Sequence, residues 1–219
     1  VHFFGIPFHD PVEVREAFDC EVKTYDEAHT HLVGLIKDSQ IEGIPSVVLS
    51  HCFVDGAEES DSERPLSIGG ADRVSYKPLE SFDYVALGHL HAPQPKGAEH
   101  IRYSGSLLKY SFSEYKQKKG VTLVELDNNG FVSAQHLELI PQRDVRILEG
   151  TLSELLEQGK DDANSDDYIF ARLTDKQDIL DPMGQLRRNY PNILQLERTQ
   201  FILSNKSRLI ADVSHKRTE

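Results

Sequence analysis

The sequence is poor in the features that mark secreted, membrane-spanning or polyanion-coating proteins. It has only two cysteines, Cys20 and Cys52, and 36 acidic against 24 basic residues, for a formal net charge of −12. Two cysteines are too few for a disulfide framework, and an acidic chain lacks the basic coat that binds nucleic acids or membranes non-specifically. No apolar run approaches the ~20 residues needed to span a bilayer. We therefore expect a globular cytoplasmic protein without a membrane segment, in which any polyanion is held by local chemistry.

The beginning of the chain lacks a start methionine and any pattern typical of a signal peptide. Its first residues, Val1-His2-Phe3, look like a β-strand entered in mid-chain. We therefore expect these residues to belong to a longer polypeptide. The 219 residues suffice for one large domain or two smaller ones.

Up to residue 140 the pattern predicts alternating strands and helices, followed by antiparallel strands. Apolar residues recurring every three or four positions predict a helix over residues 25–38. Short β-branched runs predict buried strands at 46–50 and 84–88. The other elements predicted here are an opening strand that ends at residue 7, a helix at 12–18, and strands at 101–104, 120–126 and 131–139.

The pattern changes near residue 141, where strands and short helices alternate again. Strands are predicted at 143–148, 168–173 and 193–199, and helices at 153–158 and from 182 to about 190. We predict two domains, residues 1–140 and 141–219. The fold class is α/β, with the α+β character that the antiparallel run adds, and the second domain is small and α/β.

Histidines follow both buried strands of the first domain. His51 ends one strand, and His89 and His91 follow the other. Parallel strands present such residues at one edge of a sheet, and neutral imidazoles are good ligands for manganese, iron or zinc. A metal site at His51, His89 and His91 and a set of ordinary polar histidines are equally good interpretations. His29 and His31 also lie two apart, but on a helix that spacing does not make them face each other.

Six segments around these histidines form a set of motifs. They are Ser50-His51, Ser60-Asp61-Ser62-Glu63-Arg64, residues 83–94, Arg102-Tyr103-Ser104-Gly105-Ser106, Tyr110-Ser111-Phe112-Ser113-Glu114 and Arg143-Asp144-Val145-Arg146. Together they closely resemble the SbcD family of nuclease subunits, whose last two histidine motifs are those of calcineurin-like metallophosphoesterases. The resemblance extends from Phe3 to about Thr199. The serine-rich segments make this family a better match than a generic phosphoesterase.

The resemblance implies a fold and an activity. Residues 1–140 would form the C-terminal portion of a two-sheet metallophosphoesterase sandwich, and residues 141–219 an SbcD-type cap domain. The implied cofactors are two Mn²⁺ or other divalent ions, with His51 and His89 on one ion and His91 on the other. The implied reaction is hydrolysis of DNA phosphodiester bonds, as a double-strand exonuclease and single-strand endonuclease in DNA repair, recombination and replication. The implied partners are DNA, an SbcC-like SMC-type ATPase and a second copy of the chain.

The sequence departs from the family in one respect that matters. The earlier metal motifs, which are Asp-x-His, Gly-Asp and Gly-Asn-His-Asp segments, do not occur in these residues. We therefore expect an incomplete metal site, no catalytic residue within this chain and no DNA hydrolysis by these residues alone. A calcineurin-like phosphodiesterase acting on a small molecule and a non-catalytic DNA-binding scaffold remain alternatives.

A second group of residues is a candidate for contacts with DNA. Ser104, Gly105 and Ser106 could offer backbone N–H groups and hydroxyls to a phosphate, although a plain strand-end turn explains them equally well. Lys109 and Lys116, with the nearby Lys118 and Lys119, form a basic cluster interleaved with aromatic residues, which suits a phosphate-binding and base-stacking surface. A solvated face explains that cluster equally well.

Overall fold

The computed structural model describes residues 1–63 and 72–199. The chain divides into two compact units, Val1–Ile140 and Pro141–Glu219, and each unit has its own hydrophobic core. Arg64 of the Ser-Asp-Ser-Glu-Arg motif lies outside the described residues. No helix in the described part is long and apolar enough to cross a membrane.

The first unit combines parallel strands with two helices and an antiparallel hairpin. Its helices are α1 (Pro11–Phe18) and α2 (Tyr25–Asp38), and its strands are β1 (His2–Ile6), β2 (Ser46–His51), β3 (Phe53–Val54), β4 (Arg73–Val74), β5 (Tyr84–Gly88), β6 (Gln94–Lys96), β7 (Ala98–Tyr103), β8 (Gly120–Asp127) and β9 (Gly130–Glu138). A five-stranded sheet has the order β1-β2-β5-β7-β6. Its first four strands are parallel, and β6 pairs antiparallel to β7.

Both helices begin at residues whose side chains cap them. The side chains of Asp10 and Thr24 accept hydrogen bonds from backbone N–H groups of the first turn. In return, the carboxylates of Glu13 and Glu27 accept hydrogen bonds from the backbone N–H groups of the two cap residues. Such capping boxes satisfy donors that the helix itself leaves unpaired. The apolar face of α2, with Val33 buried, then packs on the sheet core. Because β1, β2, β5 and β7 pair in parallel, their carboxyl ends lie along one edge of the sheet, where the histidine segments of β2 and β5 are found.

The predicted burial of β2 is only partly confirmed. Val47 and Val48 are buried, but Leu49 is 48% exposed. The hairpin of β8 and β9 packs beside the sheet through Phe131, whose ring stacks on Tyr84 of β5 with centroids 6.1 Å apart. Leu49 instead lines an open groove together with residues of β1 and β5.

The second unit is a three-stranded parallel sheet with two short helices. Its elements are β10 (Val145–Gly150), α3 (Leu152–Gln158), β11 (Tyr168–Leu173), α4 (Pro182–Leu186) and β12 (Ile193–Arg198), with β11 in the middle of the sheet. The two units together have the mixed α/β, or α+β, class that the sequence predicts.

The prediction that α4 continues to Tyr190 is wrong. The helix ends at Leu186, and the following residues form tighter turns in which Asn189 N–H donates to the Leu186 carbonyl at 3.0 Å. Tyr190 precedes Pro191, and a residue before proline disfavours helical backbone. The turn brings Tyr190 into the core, where it is fully buried.

Candidate metal and nucleic-acid site

The pairing of β2 with β5 places His51 directly opposite Gly88. A Cβ atom at Gly88 would lie 3.1 Å from Nδ1 of His51, so the glycine leaves room for that ring over the strand. The next residue, His89, has a φ of 115°, a strained backbone conformation for a residue with a side chain. Such strain persists only where the surroundings impose it, and it clusters at functional sites.

The rings of His51 and His89 are in contact at this edge. Their centroids are 5.4 Å apart in an edge-to-face arrangement, and the ring of Phe53 also packs against that of His89, with centroids 5.9 Å apart. The pKa of His89 is lowered, first by burial and then by His51, while Glu63 and Asp72 oppose the shift. The neutral imidazole that results is the form that binds metals.

An open groove of about 550 Å³ borders the same edge. It is lined by residues at the ends of β1, β2 and β5, among them Pro7, His51 and Gly88. Ligands of open parallel sheets bind in the crevice outside the carboxyl ends of the strands. The contact between His51 and His89 therefore lies where this type of sheet receives a ligand.

His91 is held by a different set of residues. Its Nδ1 lies 2.7 Å from Oγ of Ser62 and 3.1 Å from Oε1 of Glu114. Its backbone N–H donates to Oε1 of Glu63 at 2.6 Å. The ring of Tyr110 packs against the imidazole with centroids 5.3 Å apart. Two of the serine-rich motifs therefore meet at His91.

A buried ion pair supports this arrangement. Glu114 is 0% and Lys119 4% exposed, and Nζ of Lys119 lies 2.6 Å from Oε2 of Glu114. Lys119 also donates to the carbonyl of His91 and to Oγ of Ser106, each at 2.8 Å. Burial raises the pKa of Glu114, but hydrogen bonds from Lys119, Ser62 and His91 outweigh it and hold that pKa at about 2. Sequence reasoning missed this pair, although Glu114 closes one of the quoted motifs.

The Ser104-Gly105-Ser106 turn, which is predicted to contact DNA, lies beside the same network, and several of its groups form hydrogen bonds within the protein. Oγ of Ser104 accepts from the N–H of Thr122 at 3.2 Å, and Oγ of Ser106 donates to the carbonyl of Leu108 at 2.8 Å. Gly105 has a φ of 80°, and a Cβ there would lie 2.7 Å from the carbonyl of His91. The Ser-Gly-Ser turn is therefore packed against the backbone of His91.

The lysines of the predicted basic cluster differ in their surroundings. Nζ of Lys109 donates to the carbonyl of Tyr115 at 2.9 Å, and Nζ of Lys116 lies 5.3 Å from the centre of the Tyr115 ring. Lys118 is 75% exposed and forms an ion pair with Glu138 at 3.3 Å. Lys119 is buried, so it does not belong to an exposed basic surface. Contacts with DNA by Ser104, Gly105, Ser106, Lys109 and Lys116 stay a prediction.

The donor chemistry fits part of a metal site. His51 and His89 offer two imidazoles in contact, which suits a manganese-, iron- or zinc-type ion. In residues 1–63 and 72–199, however, no group of three or more His, Cys, Asp or Glu side chains is arranged to hold a metal ion. His91, with Nδ1 turned to Glu114, is not brought into one donor set with the other two.

Two comparisons with known proteins show what the chain is similar to. Residues 141–218 match the SbcD_C family model, described as "Type 5 capsule protein repressor C-terminal domain". The second unit is therefore similar to the C-terminal domain of SbcD-type proteins. In addition, 202 residues, or 92% of the chain, are 36% identical to the SbcD subunit of the nuclease SbcCD from Staphylococcus epidermidis.

These findings confirm the resemblance to the SbcD family that the motifs predicted. The similarity covers nearly the whole chain, including the histidine segments and the second unit. The chain spans 54% of the length of the Staphylococcus epidermidis relative.

Proposed function

We propose that the chain contributes to a DNA nuclease subunit of the SbcD type, which hydrolyses DNA phosphodiester bonds in a metal-dependent reaction. The proposed activities are double-strand exonuclease and single-strand endonuclease cleavage in DNA repair, recombination and replication. The first unit would be the C-terminal portion of a two-sheet metallophosphoesterase sandwich, and the second a cap domain that helps present DNA. The similarity to a nuclease subunit over 92% of the chain supports this proposal.

The observation that carries the proposal is the contact between His51 and His89 at the carboxyl edge of the parallel sheet. His51 lines an open groove, and Gly88 leaves room for its ring, while His89, whose ring contacts that of His51, has a strained backbone. Together these features are typical of a ligand-binding edge. They favour a metal-binding role over the alternative of ordinary polar histidines.

His51 and His89 would bind one Mn²⁺ or similar ion, and His91 would bind the second. A two-metal site supplies Lewis acidity to the phosphate and lowers the pKa of the attacking water. The described residues provide only part of such a donor set, so the remaining donors would come from elsewhere in the natural polypeptide. We accordingly propose that the 219 residues alone bind manganese weakly and do not cut DNA.

The proposed partners are DNA, an SbcC-like SMC-type ATPase and a second copy of the chain, in the cytoplasm. The name of the Staphylococcus epidermidis relative describes that protein as a subunit of SbcCD. DNA would reach the site past Lys109, Lys116 and the Ser104-Gly105-Ser106 turn, and this turn packs against the backbone of His91. The acidic net charge does not prevent this approach, because bound cations invert the local charge.

The test measures Mn²⁺ binding by calorimetry and cleavage of hairpin DNA, with the natural polypeptide and with the 219-residue chain. We expect two ions and cleavage from the natural polypeptide, and loss of both cleavage and one ion in His51→Asn and His89→Asn. His2→Asn, on β1, serves as the matched control and should leave both unchanged. Normal cleavage by His51→Asn and His89→Asn would contradict the proposed site.

The same assays separate the two alternatives. Cleavage of a small phosphodiester without cleavage of DNA would indicate a small-molecule phosphodiesterase. Binding of DNA that is equally tight with and without metal, and that is followed by no cleavage, would indicate a scaffold. Metal-dependent cleavage by the 219-residue chain alone would show that its donor set is complete and that our assignment of ligands is wrong.

A further inference from the structure

We infer that Glu114, anchored by Lys119, is a positioning residue that fixes the tautomer of His91, so that Nδ1 carries the proton and Nε2 is left to bind a metal ion. The inference rests on the proposed function for the role of His91 as a ligand. It assigns a function to the buried ion pair of Glu114 and Lys119, which lies outside the histidine motifs.

The assignment follows from counting the protons in the network. Lys119 donates to Oε2 of Glu114 at 2.6 Å and has three donors and no acceptor. The carboxylate therefore stays ionised and accepts at both oxygens. Oε1 receives the hydroxyl protons of Ser62 and, at 3.3 Å, of Ser60. Because Ser62 has a single hydroxyl proton, it can act towards Nδ1 of His91 only as an acceptor.

Nδ1 of His91 therefore faces two acceptors, Oγ of Ser62 at 2.7 Å and Oε1 of Glu114 at 3.1 Å. It must carry the proton, because a bare Nδ1 would meet only oxygen lone pairs. All hydrogen bonds that the described residues make to this ring are at Nδ1. A histidine whose Nδ1–H is bound by a carboxylate presents Nε2 as the ligand atom, as is common for metal-binding histidines.

The ammonium group of Lys119 also binds the backbone of His91. Lys119 donates to the carbonyl of His91 at 2.8 Å, so one side chain anchors both the main chain of the histidine and the carboxylate that orients its ring. Its third N–H is shared between Oγ of Ser106 at 2.8 Å and Oε1 of Gln117 at 2.7 Å. Lys119 therefore links the backbone of His91 to the carboxylate of Glu114, which orients the His91 ring.

Glu114→Gln tests the inference because it should invert the tautomer. Lys119 only donates, so the amide oxygen will face Lys119 and the NH₂ group will face Ser62 and His91. Nδ1 must then accept, and the proton moves to Nε2. Selective ¹⁵N labelling of the histidine rings, with His91→Asn for assignment, reports the tautomer by NMR without metal or DNA.

We expect the Nδ1–H tautomer of His91 in the unmodified protein and the Nε2–H tautomer in Glu114→Gln. Ser62→Ala should keep Nδ1–H, because the carboxylate remains as acceptor, and Glu138→Gln is the control for an exposed glutamate. An Nε2–H ring in the unmodified protein overturns the inference, and that measurement does not depend on whether Glu114→Gln folds. A switch to Nε2–H in Ser62→Ala also overturns it, because Ser62 rather than Glu114 would then determine the tautomer.

Metal binding by the natural polypeptide provides the second measurement. Loss of an orienting partner lowers metal affinity by about 10–100-fold, so Glu114→Gln should weaken Mn²⁺ binding by that factor while His51 and His89 remain in place. Unchanged Mn²⁺ affinity in Glu114→Gln would overturn the inference but not the proposed nuclease site. Failure of the unmodified natural polypeptide to bind Mn²⁺ would overturn the proposed function, and the NMR result would still decide the tautomer.

Discussion

The chain contains two segments with the same spacing of histidines, and the structure uses them in opposite ways. His29 on α2 is 1% exposed, stacks on His9 with centroids 5.5 Å apart, and neither of its ring nitrogens has a hydrogen-bond partner among the described residues. His89 and His91 lie at the sheet edge, where His91 has a serine and a carboxylate at Nδ1. The helical histidine therefore depends on packing and the strand-end histidine on a polar network.

Changes in the two regions should lower the stability of the protein for different physical reasons. A buried polar network is costly when one member is lost, because the remaining charge has no partner. A buried neutral imidazole is costly when it must take up a proton, because the charged form is poorly solvated there. Variants of each region can test this difference, in order of decreasing expected effect.

Lys119→Met should cause the largest loss of stability. It leaves the fully buried carboxylate of Glu114 without its cation, and breaking a buried pair in this way costs about 3–5 kcal/mol. Urea unfolding measured at pH 7 checks the value. Lys118→Met is the matched control, because Lys118 is 75% exposed and its loss should cost less than about 0.5 kcal/mol. Equal unfolding midpoints for the two variants would contradict the polar network as a source of stability.

The helical site should show its effect in the pH dependence of stability. The pKa of His29 is lowered to about 4, first by burial and then by His9, against a smaller opposing effect of Asp26. The unfolded chain takes up this proton near pH 6.5 and the folded chain only near pH 4. The contribution of neutral His29 is therefore fully present above pH 6.5, is lost as the pH falls towards 4, and changes no further below that.

The expected loss over this interval is on the order of 3 kcal/mol. Chemical unfolding of the unmodified protein and of His29→Gln across pH 4 to 7 isolates the effect, because the other titrating groups are common to both. We expect the difference in unfolding free energy between the two proteins to change steadily with pH across this interval. A pH-independent difference would indicate that His29 is protonated as readily in the folded state as in the unfolded one.

Substitution of one glycine in each region should have the smallest effects on stability, and it compares the two backbones directly. Gly105 has a φ of 80°, and a Cβ there would lie 2.7 Å from the His91 carbonyl, so Gly105→Ala should cost about 1–3 kcal/mol. A Cβ at Gly34 on α2 would meet nothing within 4 Å, so Gly34→Ala should stabilise the protein by about 0.5–1 kcal/mol. Thermal unfolding measures both. Shifts of the unfolding temperature with the same sign in both variants would show that the two backbones do not differ as described.

Local patterns predicted much of the fold. The apolar spacing predicted α2 over residues 25–38, and the β-branched runs predicted β2 and β5 with histidines at their ends. These signals are reliable because they depend on neighbours within a few residues. The end of α4 was missed because Tyr190 turns into a core that the apolar spacing alone does not describe, and the exposure of Leu49 because an apolar run does not show which face of its strand is covered.

The candidate site was predictable in its residues but not in its connections. The sequence identified His51, His89 and His91 by their positions after strands, and the motifs that include Ser62 and Glu114 by their resemblance to the SbcD family. It did not indicate that Glu114 contacts His91, which lies 23 positions away, or that Lys119 is buried. Nor did it indicate the positive φ of His89, because that strain is imposed by the surrounding structure.

The sequence by itself therefore determined much of the secondary structure, the family resemblance, the acidic charge and the residues available for metal chemistry. Only the tertiary structure decided which histidine is buried without partners, which is paired with a carboxylate, and which lysine is removed from solvent. The physical reason is that propensity and periodicity act over a few residues, whereas desolvation and hydrogen bonding depend on groups that are distant in sequence and meet only when the sheet and its hairpin assemble.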